Sequence, residues 1–550
     1  MAKLRIIPLG GIGEIGKNMT AFEYGDDIVV VDCGSVFPKQ DMLGIDLVIP
    51  DIAYLIHNRE RVRAYLITHG HEDHIGAVPY VFSRVPAPVY GTKLACMLIR
   101  GKLDEHHISG VTLNVIKPLQ TVQVGAFSVQ FIHVSHSMPG AVAMAITCPA
   151  GTVIVTGDFK IDYTPIDGEV TDLNTLAAWG SRGVLAMRAD STNVERPGYT
   201  MSERKIGETF HSLFKDAKGR IIIAMFASNL HRIQQVVDNC IEFKRKICFV
   251  GRSMVNVTKL AMDIGELKIP QDVYLDVDDM GIYEDHEIVV LTTGSQGEPM
   301  SGLTRMANSE HRTLQIREGD TVIISASPIP GNELMVSRII DQLYRCNATV
   351  IYHRIADVHV SGHACQEELK LMHTLVKPRY FVPVHGEYRM LHRHAQLAQE
   401  LGMDADHVVI LELGQALELS EDEASITGPI QTGSVLVDGL GVGDVGNVVL
   451  RDRKHLSQDG LIIIVVGVSR ETGQVTSGPD LISRGFVYVR ENEELISGAR
   501  SVAMNVLQRY ERIEQSDWTA VKNGIKDEVH TYLLDKIKRN PMILPIIMET

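Results

Sequence analysis

The stretch Tyr65-Leu66-Ile67-Thr68-His69-Gly70-His71-Glu72-Asp73-His74 places three histidines and two carboxylates directly after an apolar run. The run from Ala64 to Ile67 predicts a buried strand. Imidazoles clustered beside carboxylates are costly in a core, because every buried polar group needs a partner, but metal ions require such groups. His69 and His71 are two apart and can bind one ion from the same side of an extended loop. The carboxylate and histidine that close the stretch can then turn toward a second ion, so the stretch predicts a metal cluster rather than a solvated turn.

The composition is that of a globular protein with more than one domain, because the chain has 550 residues with 45% hydrophobic and 22% charged side chains. No apolar run approaches the ~20 residues of a membrane span, and the N-terminus lacks a signal-peptide apolar region. Seven scattered cysteines predict reduced thiols and a cytoplasmic protein without membrane association. The net charge of -15 disfavours nucleic acid only weakly, because a groove can be locally positive and bound metals add charge.

A glycine-rich segment near the N-terminus resembles a dinucleotide-binding motif. Residues 10–16 contain GxGxxG after a predicted strand at 4–9, and Asp32 ends a later strand at 28–31. The interval between Gly16 and Ile28 is too short for a crossover helix, and Gly25-Asp26-Asp27 indicates a hairpin. We therefore expect neighbouring strands here and no bound dinucleotide.

The pattern of a buried strand followed by a polar residue recurs along the chain. Apolar runs precede His136, Asp158, Asp190 and His385. Side chains at strand ends of layered α/β folds commonly assemble one site. In the segment from about 203 to 345, strands end in small or polar loops, which offer backbone N–H groups to phosphates. These loops are 227–229, 251–253, 293–297 and 325–328.

Several motifs together resemble the metallo-β-lactamase-fold hydrolases. These motifs are HGHEDH at 69–74, His136, TGD ending at Asp158, the late His385, and Asp32 in VVVDCG. The segments ADSTN and SGHA resemble the β-CASP branch, which acts on nucleic acids. The whole chain is similar to the bacterial ribonuclease J family, through PLGGIGEIGKNM, FASNLHR, TTGSQGEP, HVSGHA, PVHGEYR and RNPMILPIIMET. Two departures from the family pattern are present: Gly140 follows HSMP where an aspartate is familiar, and Arg188-Ala189 precedes Asp190 where smaller or apolar residues are expected.

The resemblance implies an α/β fold in several parts. We expect a metallo-β-lactamase αββα sandwich with an inserted β-CASP α/β domain and a small C-terminal α/β domain. The expected boundaries are 1–202 and 349–435 for the sandwich, 203–348 for the insert, 436–452 for a linker, and 453–550 for a C-terminal oligomerisation domain. The tail should contain strands at 461–468 and 485–489 and a long helix at about 494–514.

The resemblance also assigns the ligands of two metal ions. His69, His71 and His136 would hold one ion, Asp73, His74 and His385 the other, and Asp158 would bridge them. Imidazole and carboxylate without thiolate suit zinc, with manganese as the alternative. Two ions ~3.5–4 Å apart can share a water and clamp the attacking and leaving oxygens of a displacement at phosphorus. His133, close to His136 in sequence, is expected to be structural.

Further roles follow from the resemblance alone. His363, oriented by Asp190, would act as general acid on the departing 3′ oxygen. A pocket for RNA phosphate, including a 5′-monophosphate end, would be formed by Ser228, Asn229, Leu230, His359, Val360, Ser361, Gly362 and His363. Asp46 and Asp438, with the carbonyl of Gly44, would hold a structural calcium ion.

The expected function is that of a metal-dependent ribonuclease with 5′→3′ exonuclease and endonuclease activity, in RNA maturation and mRNA decay. The expected partners are single-stranded RNA, preferably 5′-monophosphorylated, a second or further copies in a homodimer or homotetramer, and an RNA-degradation complex. Three alternatives remain: a non-catalytic subunit related to such a nuclease, a small-molecule metallo-hydrolase, and a DNA-directed β-CASP nuclease. The presence of all seven metal-ligand residues argues against the first, and the long insert argues against the second.

Overall fold

The computed structural model describes residues 2–39, 41–298, 300–329, 332–421, 423–487, 492–510, 513–514 and 518–550. The chain divides into two compact units. The first contains Met1–Val36 and Val48–Val435, and the second contains Phe37–Leu47 and Leu436–Thr550. In the described part of the chain, no helix has the length and apolar character needed to cross a membrane.

The strands, in chain order, are β1 (Leu4–Gly10), β2 (Met19–Tyr24), β3 (Asp27–Val31), β4 (Leu47–Pro50), β5 (Val62–Leu66), β6 (Val89–Gly91), β7 (Leu113–Val115), β8 (Thr121–Val124), β9 (Phe127–His133), β10 (Val142–Cys148), β11 (Gly151–Val155), β12 (Val184–Asp190), β13 (Ile221–Ala224), β14 (Lys246–Val250), β15 (Ile288–Thr292), β16 (Thr321–Ile324), β17 (Thr349–Tyr352), β18 (Pro378–Val384), β19 (Ala416–Leu419), β20 (Ala424–Thr427), β21 (Ser434–Asp438), β22 (Gly441–Val442), β23 (Leu461–Val468), β24 (Val475–Arg484) and β25 (Met542–Glu549).

The α-helices are α1 (Ala53–His57), α2 (Glu72–Ile75), α3 (Val78–Phe82), α4 (Lys93–Glu105), α5 (Leu173–Arg182), α6 (Arg204–Asp216), α7 (Leu230–Glu242), α8 (Arg252–Ile264), α9 (Gly302–Ala307), α10 (Glu333–Arg345), α11 (Gln366–Val376), α12 (Tyr388–Glu400), α13 (Asn447–Asp459), α14 (Glu493–Leu507) and α15 (Trp518–Ile537). Short 3₁₀ helices lie at Arg59–Arg61, Val277–Ile282, Asp285–Glu287 and Ala405–His407.

Two mixed sheets form a sandwich in the first unit. One has the strand order β20-β19-β1-β2-β3-β5-β6-β7, and the other has the order β18-β12-β11-β10-β9-β8. Apolar side chains from both sheets form a single core between them, including Phe22, Val29, Phe131 and Met144. Such a core stabilises both sheets, because each sheet buries one apolar face against the other.

Helices cover the outer faces of the sandwich. α4 contacts β6 and β7 of the first sheet. Leu176 of α5, Leu369 of α11 and Leu397 of α12 pack in one cluster against the outer face of the second sheet, beside Met187 and Phe381. The order helix, sheet, sheet, helix confirms the predicted αββα sandwich.

The inserted segment forms its own parallel sheet with the order β14-β15-β13-β16-β17. Ile221-Ile222-Ile223 of β13 are all buried, because helices lie on both faces. One face packs against α6, α7 and α8, and the other packs against α9 and α10. The edge strand β17 begins at Thr349, directly after the expected boundary at 348, and pairs in parallel with β16.

The second unit contains a three-stranded sheet with the order β24-β23-β25. Buried residues of β23 and β25 pack against α14 and α15. The strand predicted at 461–468 is confirmed, and the predicted helix ends at Leu507, before 514. β24 ends at Arg484, and the predicted strand at 485–489 falls partly on residues 488 and 489, which lie outside the described part.

The glycine-rich segment does not form a dinucleotide-binding unit. β1 and β2 pair antiparallel, and β2 and β3 form the predicted hairpin around Gly25. No crossover helix separates these described strands. The prediction of neighbouring strands is therefore confirmed.

Candidate metal centre

The predicted ligands converge because the strands that precede them end at the same edge of the sandwich. The loop 67–71 and the short helix α2 follow β5, and His136 follows β9. Asp158 follows β11, Asp190 ends β12, and His385 follows β18. β11, β12 and β18 are parallel neighbours, so their last residues lie side by side. The recurring pattern of strand followed by polar residue thus builds one site.

Three histidines form the first ligand group. Nδ1 of His71 lies 3.0 Å from Nε2 of His69 and 3.2 Å from Nε2 of His136. These three nitrogen atoms lie within 4.8 Å of one another. Three converging imidazole nitrogens are an arrangement suited to one metal ion, with a further position left for a shared ligand.

Two histidines and two carboxylates form the second group: Asp73, His74, Asp158 and His385. Nε2 of His385 is 3.1 Å from Asp73, and Nε2 of His74 is 3.2 Å from Asp158. The same carboxylate oxygen of Asp158 is 3.8 Å from Nε2 of His69 in the first group. Asp158 therefore lies between the two groups, as expected for a bridging ligand.

Hydrogen bonds on the opposite ring nitrogen orient most of these histidines. Nδ1 of His74 lies 2.8 Å from Asp32, and Nδ1 of His136 lies 2.8 Å from the carbonyl of Gly362. The hydroxyl of Thr192 lies 2.9 Å from Nδ1 of His385. Such contacts fix the tautomer, so that Nε2 is free to bind a metal ion.

Burial keeps the three histidines of the first group neutral. It lowers the pKa of His69 and His136 well below the ordinary value and lowers the pKa of His71 to about 4. Nearby histidines add to the effect on His69 and His136. Neutral imidazole is the form that binds metal, so this group needs no deprotonation at neutral pH.

Carboxylates dominate the electrostatics of the second group. Burial opposes a charge on His74 and His385, but Asp158 and its acidic neighbours outweigh burial and raise the pKa of both residues, to about 10 for His385. The histidines in turn hold the pKa of Asp73 and Asp158 below the ordinary value, against the effect of burial. A divalent cation suits this cluster, because it displaces the two protons and supplies the positive charge.

The donor sets fit a pair of first-row divalent ions. One group supplies three nitrogens, the other supplies nitrogen and carboxylate oxygen, and neither contains a thiolate. Imidazole with carboxylate is a ligand set of zinc and manganese sites. The chemistry of these side chains therefore agrees with a metal-dependent hydrolase.

Asp190 and His363 lie in direct contact beside Asp158. Nδ1 of His363 is 2.7 Å from Oδ2 of Asp190. Thr192 donates two hydrogen bonds to the other carboxylate oxygen and fixes its orientation. Burial opposes a charge on His363, but Asp190 outweighs it and raises the pKa of His363. With Nδ1–H held by Asp190, Nε2–H of the charged ring remains free to donate.

The segment 359–363 connects the metal centre to the inserted sheet. Asn193 donates to the hydroxyl of Ser361 and to the carbonyl of His363, which holds the segment against the sandwich. A side chain on Gly362 would place its Cβ 2.5 Å from the ring of His136, so only glycine fits. Nδ1 of His359 lies 3.0 Å from the hydroxyl of Ser327, in one of the loops at the carboxyl edge of the inserted sheet.

The remaining predicted pocket residues lie at the start of α7. Asn229 caps α7 by accepting from the backbone N–H of Arg232, and Leu230 is buried. Arg232 joins this helix to the 359–363 segment, because its guanidinium donates to the carbonyl of Val360 and to Glu203. Ser228 immediately precedes the cap. The helix start and the segment 359–363 are thus linked through one buried arginine.

The residues predicted to hold calcium lie in the second unit with an arginine among them. The backbone N–H of Gly439 donates to Asp46, and Arg453 pairs with Asp438 at 2.5 Å. Arg453 also donates to the carbonyl of Leu43, and its guanidinium lies against Gly44. The guanidinium supplies positive charge to this cluster. Calcium binding there stays a prediction.

The structure adds residues that the motif left out. The side-chain amide of Asn18 lies 3.1 Å from Nε2 of His74, and Thr68 hydrogen bonds to Asp32. The sequence spacing of these two residues does not indicate their roles, because those roles depend on which loops come together in the fold. His133, which was expected to be structural, contacts the carbonyl of Glu169.

Family models match most of the chain. A metallo-beta-lactamase superfamily model matches residues 12–193, and a Zn-dependent metallo-hydrolase RNA specificity domain model matches 349–410. Between them, a model described as ribonuclease J, beta-CASP domain, matches 218–343. A ribonuclease J C-terminal domain model matches 448–550.

Similarity to individual proteins extends over nearly the whole chain. The chain is 44% identical to ribonuclease J2 of Bacillus subtilis over 547 residues, covering 99% of this chain and 98% of the relative. It is 41% identical to ribonuclease J 1 of Streptococcus pyogenes, covering 99% and 97%, and 41% identical to ribonuclease J of Thermus thermophilus, covering 99% and 95%. A solved structure of a protein of unknown function from Enterococcus faecalis has the same fold, with a TM-score of 0.54 at 16% identity, covering 76% of this chain and all of that one.

Proposed function

Because the chain belongs to the ribonuclease J family of metal-dependent RNA nucleases, we propose that it removes nucleotides from 5′-monophosphorylated single-stranded RNA in the 5′→3′ direction and also cuts RNA internally. The single observation that carries the proposal is the geometry of Asp158. It touches both ligand groups and lies 3.9 Å from His363, so metal binding and proton donation meet at one point.

We propose that two zinc ions, or two manganese ions, occupy the two ligand groups and share Asp158. When bound, such a pair activates a water for attack on phosphorus and neutralises charge that develops on the phosphate. The protein holds the ligands ready, because all of them follow the ends of packed strands, and hydrogen bonds orient His74 and His136. Little reorganisation is then needed at the moment of reaction.

His363 supplies the proton in this proposal. The reaction forms a bond between phosphorus and the water oxygen and breaks the bond between phosphorus and the 3′ oxygen. The attacking water releases one proton to solvent, and His363 takes up one proton from solvent before the next turnover. The departing 3′ oxygen needs a proton, which Nε2–H of His363 donates while Asp190 stabilises the charged ring. The products are a 5′-phosphate and a 3′-hydroxyl, so each product of an internal cut offers a new 5′-monophosphate end.

The 5′-phosphate would bind between the inserted sheet and the segment 359–363. The loop that carries Ser327 and the ring of His359 meet there, and Arg232 lies behind them. Small polar loops at the carboxyl edge of a parallel sheet are suited to phosphate. A fixed distance between this pocket and the metals would set the position of the cut relative to the chain end.

The test uses metal-free protein and one RNA of defined sequence, prepared with a 5′-monophosphate or a 5′-triphosphate. With zinc or manganese restored, we expect mononucleotides to be released from both RNAs, but faster from the monophosphate, because the triphosphate RNA must first be cut internally to expose a 5′-monophosphate end. The Asp73→Ala, His74→Ala double variant should release nothing. If the wild type cuts neither RNA with either metal, a non-catalytic subunit or a small-molecule hydrolase becomes the better account.

The end preference should depend on His359. We expect His359→Ala to reduce the rate ratio between monophosphate and triphosphate RNA by about tenfold, the loss of a hydrogen bond to a charged group. Internal cutting should change little. His211→Ala is the matched control, because His211 is exposed and pairs with Glu242 on the surface. An unchanged rate ratio between monophosphate and triphosphate RNA in His359→Ala would show that the phosphate pocket lies elsewhere.

We propose further that the C-terminal domain joins copies of the chain into a homodimer or homotetramer. Helices α14 and α15 cover one face of the sheet formed by β23, β24 and β25. On the opposite face, the side chains of Ile482, Leu544 and Met548 are 44%, 48% and 51% exposed. Ile463 pairs with both Ile482 and Leu544, so these residues form a continuous apolar stripe. An exposed stripe of this kind is typical of a protein interface.

The stripe offers a direct test of assembly. We expect the Ile482→Glu, Leu544→Glu double variant to sediment as a monomer, because charges in an apolar interface lose their hydration. Leu534→Glu is the control, since Leu534 is similarly exposed but lies on α15. If the double variant sediments as the same oligomer as the wild type, this face of the sheet is not the interface. We expect the assembled enzyme in the cytoplasm, which agrees with seven free cysteines, and within an RNA-degradation complex.

A further inference from the structure

Arg188 is a buried cation near the metal centre. It lies on β12, two residues before Asp190, and is 6% exposed. The buried arginines Arg220 and Arg232 form paired hydrogen bonds to Asp320 and Glu203. The Nη2 of Arg188, by contrast, is buried without a hydrogen-bond partner among the described residues. A guanidinium nitrogen without a hydrogen-bond partner is costly to bury, so its position calls for a compensating role.

Arg188 lines one cavity together with three members of the second ligand group. The same cavity is lined by His74, Asp158 and His385, and by Asp32 behind His74. Asp32 and Asp158 are the carboxylates whose charge acts on Arg188. Burial lowers the pKa of Arg188 to about 10, so the side chain stays charged at neutral pH. A permanent positive charge therefore lies beside the ligands expected to bind a divalent ion.

We propose that Arg188 is a positioning residue that sets the metal affinity of the second ligand group, a role that rests on the two-metal site proposed above. Its charge holds the carboxylates together when no ion is bound and opposes the arrival of a second divalent ion. Like charges interact strongly in a poorly hydrated interior. The two ligand groups should consequently bind metal with unequal affinity, the three-histidine group first.

Carboxylates in the same cavity compensate the buried charge of Arg188. Asp32, Asp158 and Asp190 all line this cavity, and the charges of Asp32 and Asp158 favour the charged form of Arg188. Two of these carboxylates contact the candidate ligand His74: Asp32 lies near its Nδ1, and Asp158 lies near its Nε2. Arg188 competes with metal for these same negative charges. With a neutral side chain at position 188, these negative charges would interact with the metal ion alone.

The test measures metal binding rather than activity. Metal-free wild type, Arg188→Gln, Arg188→Met and Arg188→Lys are titrated with manganese and followed by calorimetry. We expect two sites in each protein, with the weaker site at least about tenfold tighter in the Gln and Met variants. Arg188→Lys keeps the charge and should resemble the wild type. Unchanged or weaker binding in both neutral variants, or equal tightening in Arg188→Lys, would overturn the proposal.

A second readout separates this inference from the proposed function. Electron paramagnetic resonance distinguishes isolated Mn²⁺ from a spin-coupled pair. The coupled signal should appear at lower manganese concentration in Arg188→Gln than in the wild type. Absence of a coupled pair in every variant at saturating manganese would overturn both the two-metal site and this role for Arg188. A coupled pair that forms at the same concentration in all variants would overturn only the role of Arg188.

Discussion

Asp158→Asn is expected to lower the rate of RNA cleavage by a factor of about 10³ or more, because one side chain serves both ligand groups. Its Oδ2 lies 3.2 Å from Nε2 of His74 and 3.8 Å from Nε2 of His69. The amide removes one negative charge and presents an N–H group to a cation. Both metals should bind more weakly, while the surfaces that contact RNA remain unchanged.

The measurement combines single-turnover cleavage, metal content and RNA binding by fluorescence anisotropy. Asp172→Asn is the matched control, because Asp172 caps α5 and asparagine caps equally well. The control should keep its rate and its metal. Cleavage by Asp158→Asn within tenfold of the wild-type rate would show that Asp158 is not a metal bridge. Loss of RNA binding in parallel with cleavage would indicate a folding defect instead.

His363→Ala is expected to slow cleavage by about 10²–10⁴-fold, the usual contribution of general acid catalysis. The effect should depend on the leaving group, because only a poor leaving group needs a proton. With a nucleotide p-nitrophenyl ester, whose phenolate departs without protonation, the variant should cleave at nearly the wild-type rate. An equal loss on both substrates would assign His363 to binding or to metal ligation rather than to proton donation.

Asp190 and His363 should behave as one unit. Asp190→Asn removes the negative charge that does most to raise the pKa of His363, so the pKa falls and a smaller fraction of the ring carries the proton to donate. The double variant Asp190→Asn, His363→Ala should therefore be little slower than His363→Ala alone. If the rate losses of the two single variants multiply in the double variant, Asp190 acts separately from His363, for example through its contact with His385.

The convergence of the candidate metal ligands could be predicted from the sequence because these residues are concentrated in short segments after apolar strands. His69, His71, Asp73 and His74 lie within six positions, and the later ligands follow recognisable strands. The sandwich and its insert were predictable because the motifs resemble a known family whose fold they imply, whereas the apolar patterns alone indicated only strands that end in polar loops. The assignments of individual roles remain predictions.

Other features required the folded chain. The contact between His136 and the carbonyl of Gly362 joins residues 226 positions apart, and no local pattern specifies it. The segment Phe37–Leu47 belongs to the compact unit of the C-terminal part, although it lies near the start of the chain. Arg188 was visible as an unusual residue, but only the structure shows that its Nη2 has no hydrogen-bond partner among the described residues. Such facts depend on packing, which sequence spacing does not encode.

The most direct test of the two-metal account is anomalous diffraction from crystals of the metal-loaded protein, recorded at the zinc or manganese absorption edge. The account predicts two peaks ~3.5–4 Å apart. One should lie among His69, His71 and His136, the other among Asp73, His74 and His385, with Asp158 between them. A single peak at saturating metal, or peaks away from these side chains, would contradict it.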